Sequence, residues 1–194
     1  MKSTTTELPI MEFKGQKEWT KWLEKNHTSS AGVWLRIAKA SSGITLVSYA
    51  QAVEVALCYG WIDSQAKSYD EASWLQKFTL RGERSIWSKI NQQKVKELIR
   101  NGQMKPAGLE AVQRAKQNGR WKAAYDSPSK ASVPSDLQVA LDKNKKAKAF
   151  FATLNSKNRY AILHRIQTAK KPETRAKRIE QFTSMLEKHE KLYP

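Results

Sequence analysis

The sequence predicts an α+β fold: a small mixed sheet with helices in the N-terminal half, followed by a C-terminal all-helical bundle. Short runs rich in aromatic and β-branched residues alternate with helical patterns in the first half, whereas only helical patterns follow. A chain of 194 residues can bury a substantial core. Its 40% of hydrophobic residues and its seven tryptophans indicate a folded protein.

The first elements are expected to be a strand, a helix and a second strand. The runs PIMEFK at residues 9–14 and VWLRIA at residues 33–38 have strand composition. Between them, Trp19 and Trp22 belong to an apolar set at helical spacing, which predicts a helix over residues 16–26. We interpret these tryptophans as core residues rather than as surfaces on which a ligand stacks.

A second helix is predicted to begin after Ser48, because Ser48 and Gln51 have the spacing of a capping box. It is expected to stop at Gly60, since glycine adopts a left-handed backbone conformation at little cost. Two strands at residues 61–68 and 73–80 are expected next, and a short polar segment between them reads as a hairpin turn.

From about Trp87 onward the pattern is helical. One helix is expected to begin near residues 85–88 and to end at Gly102, and the next to run from Pro106 to Gly119. Four apolar stripes at helical spacing then predict a small bundle. These stripes are Leu137, Ala140 and Leu141; Ala147, Phe150, Phe151 and Leu154; Leu163, Ile166 and Ala169; and Ile179, Phe182 and Leu186.

The domain organisation is predicted from composition. Residues 123–133 are rich in serine and proline, so we interpret them as a linker. They separate an α+β domain at residues 1–122 from a basic helical region at residues 134–194, which packs on or beside it.

The formal charge of +17 is unevenly spread. Residues 1–66 carry seven Lys or Arg against six acids, residues 67–122 carry thirteen against five, and residues 142–194 carry fourteen against five. Such a balance favours phosphorylated ligands or polyanions through long-range attraction. The alternative is that the lysines, for example Lys145, Lys146 and Lys148, form a solvated face with no binding role.

Cysteine usage and the N-terminal sequence favour a cytoplasmic protein. The first residues contain Ser, Thr and Glu without an apolar run, so no signal peptide is expected, and no later run is long enough to span a membrane. The single cysteine excludes an intramolecular disulfide and fits a reducing compartment.

The stretch CYGWIDSQAKSYDEASWLQKFTLRGERSIWSKIN at residues 58–91 is predicted to surround a cleft. Asn91 shares one helical face with apolar residues, so it either holds a buried backbone group or points at a ligand. The candidate ligand-binding residues combine aromatic walls with donors for an anion. They are Trp61, Asp63, Arg81, Arg84, Trp87, Ser88, Lys89 and Asn91.

A second candidate anion site lies at the start of the last helix. Pro172 opens that helix, and the free amides and positive dipole end of a helix N-terminus favour an anion. The residues expected to converge there are Lys170, Thr174, Arg175 and Arg178. The alternative is that Glu173 occupies the helix end and the arginines pair with neighbouring acids.

No catalytic or metal-binding set is expected, and no cofactor. His27, His164 and His189 lie far apart in sequence without Cys or acidic residues at ligand spacing. Cys58 is interpreted as a core thiol rather than a nucleophile. Asp63 would act as a general base only if it were desolvated, and capping a turn is the alternative role. We therefore lean against an enzyme.

Several motifs resemble those of the bacterial YdeI/OmpD-associated family. They are ALCYGWID at residues 56–63, R-x-x-R-S-x-W-S-x-x-N at 81–91, NGQMKPAG at 101–108, AKQNGRW at 115–121 and AKKPETRAKRI at 169–179. Their order and spacing agree over nearly the whole chain. The resemblance implies a link with bacteriocin protection or envelope stress and brings no catalytic residues.

Two functions of different class are therefore carried forward. The first is a binding module for a small phosphate- or carboxylate-bearing ligand in the central cleft. The second is salt-dependent binding of nucleic acid or another polyanion by the basic helices. An enzyme of unknown reaction is a weaker third, and the sequence predicts neither the ligand nor the oligomeric state.

Overall fold

A computed structural model describes residues 7–194. The chain divides into two compact units: unit 1 comprises Met1–Trp87 and Asn91–Lys122, and unit 2 comprises Ser88–Ile90 and Ala123–Pro194. All strands of the described residues lie in unit 1, whereas the elements from residue 135 onward are helices. The predicted α+β class is confirmed.

Unit 1 is built on a four-stranded sheet in the order β1-β2-β4-β3. Strand β1 (Ile10–Met11) pairs in parallel with β2 (Val33–Ala38), which pairs antiparallel with β4 (Ser73–Leu80). Strand β3 (Trp61–Ser68) pairs antiparallel with β4 as a hairpin. The first strand is shorter than predicted, but the other three have the predicted bounds.

The core of unit 1 is an aromatic cluster between the sheet and its helices. Helix α1 (Gln16–Asn26) buries Trp19 fully, and the Trp19 indole donates a hydrogen bond to the carbonyl of Ala52 at 3.1 Å. Trp19 and Trp22 both meet Trp61 edge-to-face. Tryptophan burial is favourable only when the indole N–H finds an acceptor, and this condition is met here.

Helix α2 (Tyr49–Cys58) begins and ends as predicted. The Ser48 hydroxyl accepts from the amide of Gln51, whose side chain accepts in turn from the amide of Ser48, which completes the capping box. Gly60 follows the helix with a positive φ of 71°. Helix α2 buries most of its residues against α1, β3 and α4.

Two further helices complete the chain up to the start of the C-terminal region. Helix α3 (Lys89–Arg100) begins just after the predicted start, and Val95 and Leu98 are its buried residues. Helix α4 (Pro106–Gln117) has proline in its first turn. Gly108 of α4 lies directly against the last turn of α2, where an added Cβ would be 2.3 Å from the carbonyl oxygen of Cys58.

Unit 2 contains four helices with bounds close to the predicted stripes. They are α5 (Ser135–Lys143), α6 (Lys145–Thr153), α7 (Ser156–Gln167) and α8 (Pro172–Glu187). Residues of the predicted stripes form one buried cluster, which includes Leu137, Leu141, Phe151, Ile162, Ile166, Phe182 and Leu186. Residues 123–133 belong to this unit as well, with Ala124 and Ser127 buried in it.

Candidate functional site

Arg81 is a structural arginine inside unit 1. It is only 3% exposed, although arginine is rarely buried in proteins. Its Nε donates to the carbonyl of Trp61 at 3.2 Å and its Nη1 to the carbonyl of Ile86 at 3.2 Å. Its guanidinium lies 3.8 Å from the ring centroid of Trp87. Arg81 therefore connects the hairpin to the loop that follows it.

The predicted central cleft is not a ligand-sized cavity. The depression beside Arg81 and Trp87, which Arg114 and Arg120 also line, encloses about 10 Å³. That is room for about one water molecule, whereas ligand pockets have volumes of roughly 300–1,000 Å³. Trp61 does not line this depression, because it is fully buried and donates to the carbonyl of His27 at 3.0 Å.

The other residues predicted for the cleft have different surroundings. Asp63 accepts a 2.6 Å hydrogen bond from the hydroxyl of Tyr49, and Arg84 is exposed. Asn91 is half-buried. Two members belong to unit 2 and bind there: Ser88 pairs with Tyr125 as a single bridge, and Lys89 lies 2.7 Å from the carboxylate of Asp126.

At the start of α8, Arg175 is engaged by an acid. Its Nε and Nη2 donate to the two carboxylate oxygens of Asp136 at 2.6 and 2.9 Å, and its Nη1 donates to the carbonyl of Ile166. The hydrogen bond from Arg175 lowers the pKa of Asp136 below its ordinary value. Lys170 and Thr174 are exposed. The geometry matches the alternative in which an arginine of this segment pairs with a neighbouring acid.

Arg178, the fourth residue predicted for that site, lines a different groove. We call it the α7 groove; it has a volume of about 640 Å³ and lies along α7 in unit 2. Basic and aromatic side chains line its walls. They are Lys157, Tyr160, His164, Arg165, Arg178 and Tyr193. None of the residues that line it is acidic.

The three cations of the α7 groove have no carboxylate partner. None of the ion pairs formed by residues 7–194 includes Lys157, Arg165 or Arg178. The nearby acid Asp126 is engaged elsewhere, because hydrogen bonds from Lys89 and Gln167 hold its carboxylate and lower its pKa. The positive charge of the groove is therefore not neutralised within the described protein.

The rings of the α7 groove are held in place by other contacts. Tyr160 donates to the carbonyl of Asp126 at 3.0 Å. The backbone of Tyr193 is clamped by the buried Asn158, whose side chain accepts from the Tyr193 amide at 2.9 Å and donates to its carbonyl at 3.1 Å. Arg165 donates to the Tyr193 hydroxyl. These contacts preform the groove walls.

His164 lies between the cations and the rings. Burial lowers its pKa, and the charges of Arg165 and Arg178 lower it further. Both effects favour the neutral form of the imidazole. It meets Tyr125 edge-to-face at 4.6 Å and Tyr160 at 5.6 Å between ring centroids.

Sequence reasoning missed the α7 groove apart from Arg178, although a signal was present. Positions 157, 160, 161, 164, 165 and 168 recur at intervals of three and four and form one face of α7. That face carries cations and rings, whereas the face with Ile162, Leu163 and Ile166 is buried. The sequence pattern identifies α7 by its apolar face alone, and the basic and aromatic residues of its other face remain unassigned.

Cys58 has the surroundings expected of an inert thiol. It is 8% exposed, and burial raises the pKa of its thiol to about 11, so the nucleophilic thiolate is scarce at pH 7. Residues 7–194 contain no group of three or more His, Cys, Asp or Glu able to hold a metal ion. No helix in the described part of the chain is long and apolar enough to cross a membrane.

Comparison with known families separates the chain into two matched parts. Residues 11–111, just over half of the chain, match the family described as Domain of unknown function (DUF8412). Residues 130–189, which include α7 and α8, match the family described as Bacteriocin-protection, YdeI or OmpD-Associated. No curated protein and no solved structure is significantly similar to the chain. The predicted resemblance to the YdeI/OmpD-associated family is confirmed at residues 130–189, although it was predicted over nearly the whole chain. The chain belongs to the family of the domain of unknown function, whose match covers residues 11–111.

Proposed function

We propose that the protein is a binding module for a small anionic ligand, and that the ligand occupies the α7 groove rather than the predicted central cleft. One observation carries the proposal: three cations line a groove of ligand size that contains no acidic residue. A phosphate or carboxylate group would accept charge-assisted hydrogen bonds from Arg165 and Arg178. The central cleft is not favoured because the depression beside Arg81 encloses only about 10 Å³ and Arg81 is 3% exposed.

The electrostatics of the groove support a specific site over a generally basic surface. Exposed ion pairs contribute little because water screens them, whereas a concave wall reduces that screening. Arg165 and Arg178 are both partly buried. Arg165 donates to the Tyr193 hydroxyl and Arg178 donates to the backbone carbonyl of Arg165, so a hydrogen bond holds each guanidinium in the groove lining. Two planar donor groups fixed in this way suit an oxyanion.

The double variant Arg165→Gln with Arg178→Gln tests this site. We expect it to weaken the binding of ribose 5-phosphate and inorganic phosphate at least tenfold, since each charged hydrogen bond contributes about 1.5–3 kcal/mol. Titration calorimetry and the thermal shift at saturating phosphate would both report the loss. The melting temperature without phosphate shows whether the variant is folded.

Lys145→Gln with Lys146→Gln is the matched control, because both lysines are exposed on α6 and lie outside the groove. It removes two positive charges from the same unit, as the test variant does, so it corrects for the general loss of charge. We expect its phosphate binding to be unchanged. Equal weakening by this control, or no phosphate binding by the unmodified protein, would contradict the proposal.

Polyanion binding by the basic helices is the alternative. Lys145 and Lys146 are exposed, but Lys148 lies 2.8 Å from the carboxylate of Asp142, which reduces the free charge of that face. Binding of a short oligonucleotide that is lost at high salt, without any binding of small phosphates, would favour this alternative. Phosphate binding that persists at high salt would favour the groove.

We also propose that the protein acts in the cytoplasm. Its cysteine is a free buried thiol, as is typical of proteins from reducing compartments. Fractionation of cells that produce the full chain is expected to recover it with the cytosol. Recovery with the envelope after a high-salt wash would contradict this location.

A further inference from the structure

We infer that the anionic ligand of the α7 groove carries a planar aromatic ring next to its phosphate, as in an aryl or nucleoside monophosphate. This inference rests on the proposed function, since it concerns the same groove. It adds a second recognition element to the cations. The evidence is the placement of three rings, Tyr160, His164 and Tyr193, among those cations in the lining of the groove.

The order of residues along α7 separates the two recognition elements. Lys157 lies in the first turn of α7, Tyr160 and His164 lie one and two turns further on, and Arg165 is adjacent to His164. With a rise of 1.5 Å per residue, the distance from Lys157 to His164 along the helix axis is about 10 Å. Cations thus flank the two rings of the helix at both ends.

Tyr193 completes the opposite side of this arrangement. The ammonium of Lys157 lies 4.7 Å from the Tyr193 ring centroid, and the guanidinium of Arg165 lies 5.7 Å from it. A phosphate bound between these cations would therefore lie close to the Tyr193 ring. A ligand with a flat apolar group attached to its phosphate would cover that ring and the neighbouring Tyr160.

A neutral His164 suits an aromatic group of the ligand better than it suits a second phosphate group. A protonated imidazole would add a fourth cation, whereas the half-buried neutral ring provides a flat surface beside Tyr160. Stacking between a nucleobase and an aromatic side chain contributes measurably to affinity and depends little on the identity of the base. We therefore expect a preference for ring-bearing phosphates without strong selection among bases.

The test compares four probes on the full chain by titration calorimetry: phenyl phosphate, adenosine 5′-monophosphate, ribose 5-phosphate and inorganic phosphate. We expect the two ring-bearing probes to bind at least about tenfold more tightly than the two without a ring. Tyr193→Leu is expected to abolish this preference, so that phenyl phosphate and inorganic phosphate bind the variant with equal affinity. Tyr193→Phe, which keeps the ring, is expected to retain the preference.

Tyr160→Leu and Tyr160→Phe form a second pair at a position on the helix itself. Because Tyr193 lies outside the helices and its backbone is held by Asn158, its substitution keeps the test valid even if Tyr160→Leu fails to fold. Equal affinities for phenyl phosphate and inorganic phosphate would overturn this inference and leave the proposed function standing. If none of the four probes binds, both fail.

Discussion

Replacement of Gly108 by alanine is expected to destabilise unit 1 by about 3 kcal/mol or more. The new Cβ would lie 2.3 Å from the carbonyl oxygen of Cys58 and 2.7 Å from that of Leu57. Both contacts are to backbone atoms of α2, so no side-chain rotation can relieve them. The last turn of α2 and the first turn of α4 would have to separate.

Helix propensity alone predicts the opposite result, namely that Gly108→Ala raises the free energy of unfolding. Gly108 lies inside α4, where an exposed glycine would be about 1 kcal/mol less favourable than alanine. In this helix the close approach of the backbone of α2 outweighs that gain. Gly108→Ala thus tests whether the close packing of α2 on α4 outweighs the higher helix propensity of alanine at this position.

Guanidinium unfolding followed by tryptophan fluorescence would measure the effect, because all seven tryptophans belong to unit 1. Gly82→Ala is the control, since an added Cβ at Gly82 has no atom within 4 Å. We expect it to change the free energy of unfolding by less than about 0.5 kcal/mol. An equal or higher stability of Gly108→Ala would show that α2 and α4 are not packed this closely.

Most of the fold could be predicted from local patterns. The capping box at Ser48, the proline at the start of α4 and the strand composition on both sides of the hairpin turn each act within a few residues. The contact at Gly108 could not be predicted in this way. It joins residues 50 positions apart, and a glycine near the start of a helix gives no sign of what approaches it.

The residues of the candidate sites were harder to predict, because an arginine can either bind a ligand or hold the protein's own backbone carbonyls. Arg81 has the charge of a ligand contact, but in the structure its donors are directed at backbone carbonyls. Arg165 was not among the predicted site residues. It lines the α7 groove together with Arg178 and Tyr193, which are distant from it in sequence and which only the packing of unit 2 brings to the same groove.

Arg81→Met is expected to destabilise unit 1 by about 3 kcal/mol, because it removes a buried donor from each of two carbonyls. Those carbonyls belong to Trp61 and Ile86, and each loses the charged hydrogen-bond donor that Arg81 supplies. Methionine keeps most of the apolar stem, so loss of packing on Trp87 contributes less than loss of the hydrogen bonds.

Arg84→Met is the matched control, because Arg84 lies in the same loop and is exposed. It changes the net charge by the same amount, and we expect a change below about 0.5 kcal/mol in the same fluorescence-detected unfolding. If Arg81 were instead a ligand contact, Arg81→Met would leave stability near that of Arg84→Met and would weaken phosphate binding. Destabilisation with phosphate affinity retained would assign the central motif to the architecture of unit 1 and leave recognition to the α7 groove.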